Sequence, residues 1–119
     1  MKERTIKEIE DEMAIRSEQG EIGRVMDLVD EHGNTFDKMH QAIEEGDLKR
    51  VIEIEKLGVN SAEERFVKVA VMYDRNLIVY HQVKQGASLH DVVELARAFN
   101  RVAILNWAKF AQRNKMGSK

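Results

Sequence analysis

The sequence predicts an all-α protein: four stacked helix-turn-helix hairpins within a single domain that covers residues 1–119. Three observations support this. The 119 residues include no proline, the residue that most strongly interrupts helices. Residue types typical of helix starts and helix ends recur at a nearly constant spacing. Apolar residues between them are three and four apart, as on the buried face of a helix.

The helix starts are marked by hydroxyl residues that can cap an exposed backbone amide. At two of them a glutamate follows three residues later, which is the capping-box pattern, and at a third an aspartate does so. The spacing of 30, 26 and 27 residues indicates internal repetition. The four predicted starts are Thr5, Thr35, Ser61 and Ser88.

Glycines mark the predicted ends of the hairpins, at Gly33, Gly58 and Gly86. Each repeat also contains an inner break, after which apolar residues align in columns. One such column is Ile22, Leu48, Leu77 and Val102. The inner breaks are predicted at Gly20, Gly46, Arg75-Asn76 and Asn100-Arg101. The four repeats are therefore expected at 5–33, 35–60, 61–87 and 88–113, and the eight helices at 5–17, 21–32, 36–45, 47–57, 62–73, 75–85, 89–98 and 100–113.

The segment from Ala42 to Val51, with Gly-Asp-Leu at its centre and Gly58 after it, resembles part of an ankyrin repeat. The residues from Asn76 to Val79, followed by Gln-Gly-Ala-Ser, repeat the resemblance. It implies a helical-repeat solenoid that binds other proteins. The Thr-Pro-Leu-His signature is missing, and steps of 25–29 residues are shorter than the ~33 of ankyrin repeats. We therefore expect tight turns and no β-hairpin fingers.

Residue types that carry chemistry are sparse. The chain has no cysteine and four histidines, no two of which are four residues apart, so no helix offers a paired zinc face. His81 falls on an apolar column and is expected to be a half-buried packing residue. We find neither a phosphate-binding loop nor a nucleophile with a base. The sequence thus predicts no enzyme activity, no cofactor and no metal site.

Charge is distributed unevenly along the chain. Residues 1–60 hold 16 acidic and 9 basic residues, whereas 61–119 hold 5 acidic and 10 basic ones. In the second half, basic residues share helix faces, and stacking of the repeats would align these faces. They are expected to bind an acidic surface of another protein, and a nucleic-acid backbone is the alternative partner. The candidate residues are Arg65, Lys68, Tyr73, Arg97 and Arg101.

The last helix carries more apolar residues than one buried stripe requires. Trp107 and Phe110 lie on a second face that no following repeat would cover. Exposed apolar strips usually mark contact sites, so this strip is a second candidate surface for a partner or for self-association. The alternative is that Trp107 folds back over the edge of the core.

No apolar run reaches the roughly 18 residues of a membrane span, and the N-terminal residues are charged and not apolar. We therefore expect no signal peptide, no membrane partner and a cytoplasmic location. Taken together, the sequence predicts a non-catalytic protein-protein interaction module, a small stoichiometric inhibitor or adaptor. The alternative function is a nucleic-acid-binding accessory protein that uses the basic C-terminal half.

Overall fold

The computed structural model describes residues 3–114, and within this range it is all-α, with seven helices and no strand. The molecule is elongated, with extents of 54 × 28 × 25 Å. None of the helices in this range is long and apolar enough to cross a membrane. The helices are α1 (Ile6–Glu18), α2 (Ile22–Glu45), α3 (Leu48–Glu55), α4 (Glu64–Met72), α5 (Asn76–Lys84), α6 (Leu89–Ala98) and α7 (Val102–Arg113).

The helices α2 to α7 alternate between two layers. In the first layer α4 packs between α2 and α6, and tight turns connect these three helices to α3, α5 and α7 of the second layer. The apolar core runs between the layers, from Met39 and Ile43 through Phe66 to Ile104 and Ala108. Helix α1 packs along the N-terminal half of α2.

The four inner turns share one backbone geometry. Each contains a residue with positive φ, and the amide of the next residue bonds the carbonyl five positions before it, as Asp47 does to Ala42 at 2.9 Å. This is the Schellman arrangement that ends helices. The residues with positive φ are Gly20, Gly46, Asp74 and Asn100, which are 26, 28 and 26 residues apart.

The position of Asp74 corrects the predicted alignment of the third repeat by one residue. Leu77, which the sequence aligns with Leu48, is 67% exposed, and the half-buried Asn76 takes the equivalent place. Aspartate and asparagine tolerate the left-handed conformation better than most residues. The turn therefore begins at Asp74 and not at the predicted Arg75-Asn76 pair.

The prediction that Gly33 ends a helix is wrong, because α2 runs without interruption through it. The predicted helices 21–32 and 36–45 are consequently one helix, and Thr35 starts none. Its hydroxyl donates to the Glu31 carbonyl at 3.2 Å. A glycine inside a helix costs only about 1 kcal/mol relative to alanine, a penalty that the buried Leu28 and Met39 on either side can offset.

Two glycine substitutions test the helix α2 and the turn that follows it. A Cβ at Gly33 would meet nothing within 4 Å, so Gly33→Ala should raise the free energy of unfolding by about 0.5–1 kcal/mol. A Cβ at Gly46 would lie 3.2 Å from Arg75 Cδ, at a φ of +73°. Gly46→Ala should therefore lower the free energy of unfolding by about 1–2 kcal/mol. Urea unfolding measures both, and a destabilised Gly33→Ala variant would contradict the uninterrupted helix.

Helix α1 and the first part of α2, residues 6–31, form a projection that we call the arm. Ile9 and Leu28 of the arm are fully buried, and Ile6 joins the core cluster, but no residue from 10 to 27 is buried. Ion pairs on Glu12 hold its two helices together. The Glu12 carboxylate accepts hydrogen bonds from Arg24 Nε at 2.9 Å and from Arg4 Nη2 at 2.5 Å.

These contacts make the stability of the arm dependent on pH. The hydrogen bond from Arg24, followed by that from Arg4, lowers the pKa of Glu12 to about 2 from its ordinary 4.5. Because the folded pKa lies below the unfolded one, the ionised carboxylate stabilises the fold above pH 4.5, and this stabilisation is lost as the pH falls to about 2. The difference in unfolding free energy between the wild type and Glu12→Gln should therefore become smaller as the pH falls from 4.5 to about 2. A difference that is independent of pH would exclude this role for Glu12.

Candidate interaction surface

One partly buried polar cluster joins α3 to α5. The Glu55 carboxylate accepts a hydrogen bond from the Ser61 hydroxyl and lies 2.8 and 2.9 Å from His81 Nε2. The Gln82 amide donates to the Ser61 carbonyl at 2.9 Å. His81 contacts the Glu55 carboxylate and not the Ser61 hydroxyl, so the cluster does not have the serine–histidine pairing of nucleophilic catalysis. Its contacts tie the loop between α3 and α4 to α5.

His81 is expected from the sequence to be a half-buried packing residue. Its side chain is 16% exposed and also makes a polar contact, with the Glu55 carboxylate. Ser61 is fully buried and does not cap α4, whose N-cap is Glu63. Among residues 3–114 no three histidine, aspartate or glutamate side chains converge in a way that could hold a metal ion.

Two arginines make the same contact in successive hairpins. Arg75 Nε donates to the Glu44 carbonyl at 2.9 Å, and Arg101 Nη2 donates to the Met72 carbonyl. Each arginine directly follows the residue of positive φ in its own turn, Asp74 or Asn100. The carbonyl that it contacts belongs to the turn of the preceding hairpin, two residues before the residue of positive φ there. The guanidinium groups thus satisfy carbonyls that a helix end leaves unpaired. Gly46 leaves room for Arg75, which a Cβ would crowd.

Arg101 is thereby placed differently from Arg97, although the sequence assigns both to one exposed face. Arg101 is half-buried, and its guanidinium is directed at the end of α4. Arg97 is exposed and forms a 3.5 Å ion pair with Glu94. A sequence signal for the structural role does exist, because an arginine follows the turn residue in both the third and the fourth repeats.

The other basic candidates remain on the outside of the first layer. Arg65 lies over the rings of Phe36 and Phe66, with its Cζ atom 4.6 and 4.7 Å from their centroids, and it pairs with Glu63 at 3.4 Å. Lys68 is exposed and makes no ion pair within the described part of the chain.

The C-terminal ends of α4 and α6 lie close together, because α4 contacts α6 and the Arg101 bond to Met72 joins these two ends. Tyr73, 43% exposed, follows α4, and Arg97 is in the last turn of α6. Exposed cationic and aromatic side chains are thus present on two neighbouring helices. We call this group of residues the first-layer surface, and it consists of Arg65, Lys68, Tyr73 and Arg97.

The last helix divides its apolar residues between core and solvent. The Trp107 ring is half-buried and lies 4.3 Å from the Tyr80 ring, centroid to centroid, at an interplanar angle of 38°. It packs against the core and so covers its edge, the alternative that the sequence leaves open. Phe110 and Val102 remain 50% and 64% exposed.

Comparisons with protein-family models, with curated proteins and with solved structures find no match.

Proposed function

We propose that the protein is a non-catalytic helical-repeat module that binds an acidic surface of another protein in the cytoplasm, as a stoichiometric inhibitor or adaptor. The observation that carries the proposal is the first-layer surface. It presents three cations and the exposed Tyr73 on two adjacent helices. Arginine and tyrosine are the residue types enriched at the energetic centres of protein interfaces.

The counter-ions within this surface leave it available to a partner. Arg65 and Arg97 pair with Glu63 and Glu94 at 3.4 and 3.5 Å, and all four side chains are at least 40% exposed. Solvent-exposed ion pairs of this kind contribute about 0–1 kcal/mol. A partner carboxylate can therefore replace the glutamates at little cost, and stacking over Phe36 and Phe66 holds the Arg65 guanidinium in place.

The repeated turn geometry supports the interpretation as a shortened ankyrin-like solenoid. The same Schellman turn recurs at Gly46, Asp74 and Asn100, and the arginine contact recurs between successive hairpins. Each hairpin leaves one side for its neighbour to cover, which is how stacked repeats stabilise one another. The connections between hairpins, 56–63 and 85–88, contain no strands, consistent with a solenoid without fingers.

Nucleic acid is the alternative partner, because phosphate groups also bind clustered lysine and arginine. The charge distribution disfavours it. Domains that bind nucleic acid are usually basic overall, whereas this chain has a net charge of −2 and its first 60 residues have an excess of seven acids.

Capture by the purified, tagged protein, with and without nuclease, tests the class of partner. We expect a protein to be retained in a fixed molar ratio and to be unaffected by nuclease. Quantitative mass spectrometry of the eluted complex measures that ratio. Retention that nuclease abolishes, and that falls uniformly for all sequences as salt rises, would establish the nucleic-acid function instead.

A further inference from the structure

The uninterrupted α2 leaves apolar side chains of the arm uncovered. Ile22, Met26 and Val29 are 72%, 64% and 55% exposed and lie at i, i+4 and i+7 on one face of α2. This is the face opposite α1, because Arg24 and the buried Leu28 belong to the side that α1 packs against. We call these three residues the arm stripe. Contiguous exposed apolar residues on one face usually mark a contact site.

A second uncovered face lies on α7, where the stack of hairpins ends. Its exposed residues combine two large apolar side chains with two cations, and no residue from 95 to 114 is acidic. Lys109 and Arg113 lie beside Phe110 on the same side of the helix. The end surface consists of Val102, Asn106, Lys109, Phe110 and Arg113.

The two surfaces are complementary in charge. The arm carries nine acids and three bases, a net charge of −6, and the end surface carries two bases, Lys109 and Arg113, and no acid, a net charge of +2. The acidic Asp30 is exposed one helical turn from Met26. Contact between two arms, or between two end surfaces, would bring like charges together, whereas an arm against an end surface pairs opposite charges.

We propose that the arm stripe of one molecule docks on the end surface of a second copy, in a head-to-tail contact. A molecule cannot make this contact with itself, because the arm packs at the α2 end of the first layer and α7 packs at the α6 end, in a molecule 54 Å long. A contact between two different surfaces is heterologous, so it continues into chains or closes into a ring. It leaves the first-layer surface free and does not depend on the proposed function.

Sedimentation over a wide range of concentrations tests the proposal with variants that each lack one surface. The arm variant is Ile22→Gln with Met26→Gln, and the end variant is Val102→Gln with Phe110→Gln. The matched control is Leu77→Gln, which replaces a side chain of similar exposure on neither surface. Thermal unfolding of every variant checks that the fold is retained.

We expect the average mass of the wild type and of the control to rise with concentration, and to fall when salt screens the charges. Each double variant alone should be monomeric, with an apparent Kd raised at least about tenfold. An equimolar mixture of the two should form a 1:1 dimer that grows no further, since it retains one intact arm stripe and one intact end surface.

Three results would overturn the proposal. The wild type could remain monomeric at every concentration, which would leave both faces to other partners. The end variant could associate as the wild type does while the arm variant cannot, which would indicate contact between two arms. Finally, both variants could be monomeric and their mixture could fail to form the dimer.

Discussion

Phe66→Ala should lower the free energy of unfolding by about 3–5 kcal/mol, the usual cost of removing a buried phenylalanine. Phe66 is 2% exposed and belongs to the core cluster between the layers. It lies in α4, which contacts both neighbouring helices of the first layer, so the cavity would affect three hairpins at once. Arg65 would also lose one of the two rings beneath its guanidinium.

Phe110→Ala is the matched control, because it removes the same atoms from a side chain that is half exposed. Its expected cost is about 1 kcal/mol, in proportion to the area that Phe110 buries. Chemical denaturation of both variants measures the difference. Equal costs at the two positions would mean that Phe66 does not lie between the layers as described.

Arg101→Gln should lower the free energy of unfolding by about 1.5–3 kcal/mol, the range for hydrogen bonds that involve a charged group. The substitution leaves the Met72 carbonyl without its donor at the junction of α4 and α7. Arg97→Gln removes an exposed charge from the same region and should change stability by about 0.5 kcal/mol or less. Thermal and urea unfolding of the pair distinguish them.

The comparison of these two arginines also separates structural from binding roles. Were Arg101 to lie on the exposed face that the sequence predicts, both substitutions would be nearly neutral for stability. A neutral Arg101→Gln would therefore contradict the internal contact with Met72.

Much of the helical architecture could be predicted from residues whose effect is local. Thr5 forms the predicted capping box with Glu8, and Ser88 caps α6 through the Asp91 amide. The predicted inner breaks at Gly20, Gly46 and Asn100 coincide with residues of positive φ. In each case the side chain, or its absence, determines the conformation of its own turn.

The predictions that failed depend on contacts made outside the turn or cap that the pattern describes. Gly33 breaks no helix, because packing on both sides of it outweighs its low helix propensity. Ser61 is a plausible cap by pattern, but its hydroxyl bonds Glu55 instead. Arg101 looks like a surface residue until the end of α4 is placed beside it. The arginine that follows the turn residue in both the third and the fourth repeats is the sequence signal for this role.

For the exposed residues, too, one part could be predicted from the sequence and another part could not. Helical spacing correctly placed Arg65 and Lys68 in exposed positions on α4, and Arg97 in one on α6. The exposure of the arm stripe could not be predicted, since repeat periodicity places Ile22 in a column with Leu48 and suggests that both are covered. The uninterrupted helix α2 shows that Ile22 is exposed.

The measurement that tests the binding function most directly is partner capture by two variants of equal charge. The first reverses three cations of the first-layer surface, with Arg65→Glu, Lys68→Glu and Arg97→Glu. The second reverses three exposed lysines elsewhere, with Lys49→Glu, Lys56→Glu and Lys84→Glu. Both variants should retain helical content and melting temperature, since exposed charge substitutions usually change stability by about 0.5 kcal/mol or less each. We expect the first variant to lose the bound protein and the second to keep it. Equal retention by both, or equal loss from both, would contradict a binding site on the first-layer surface.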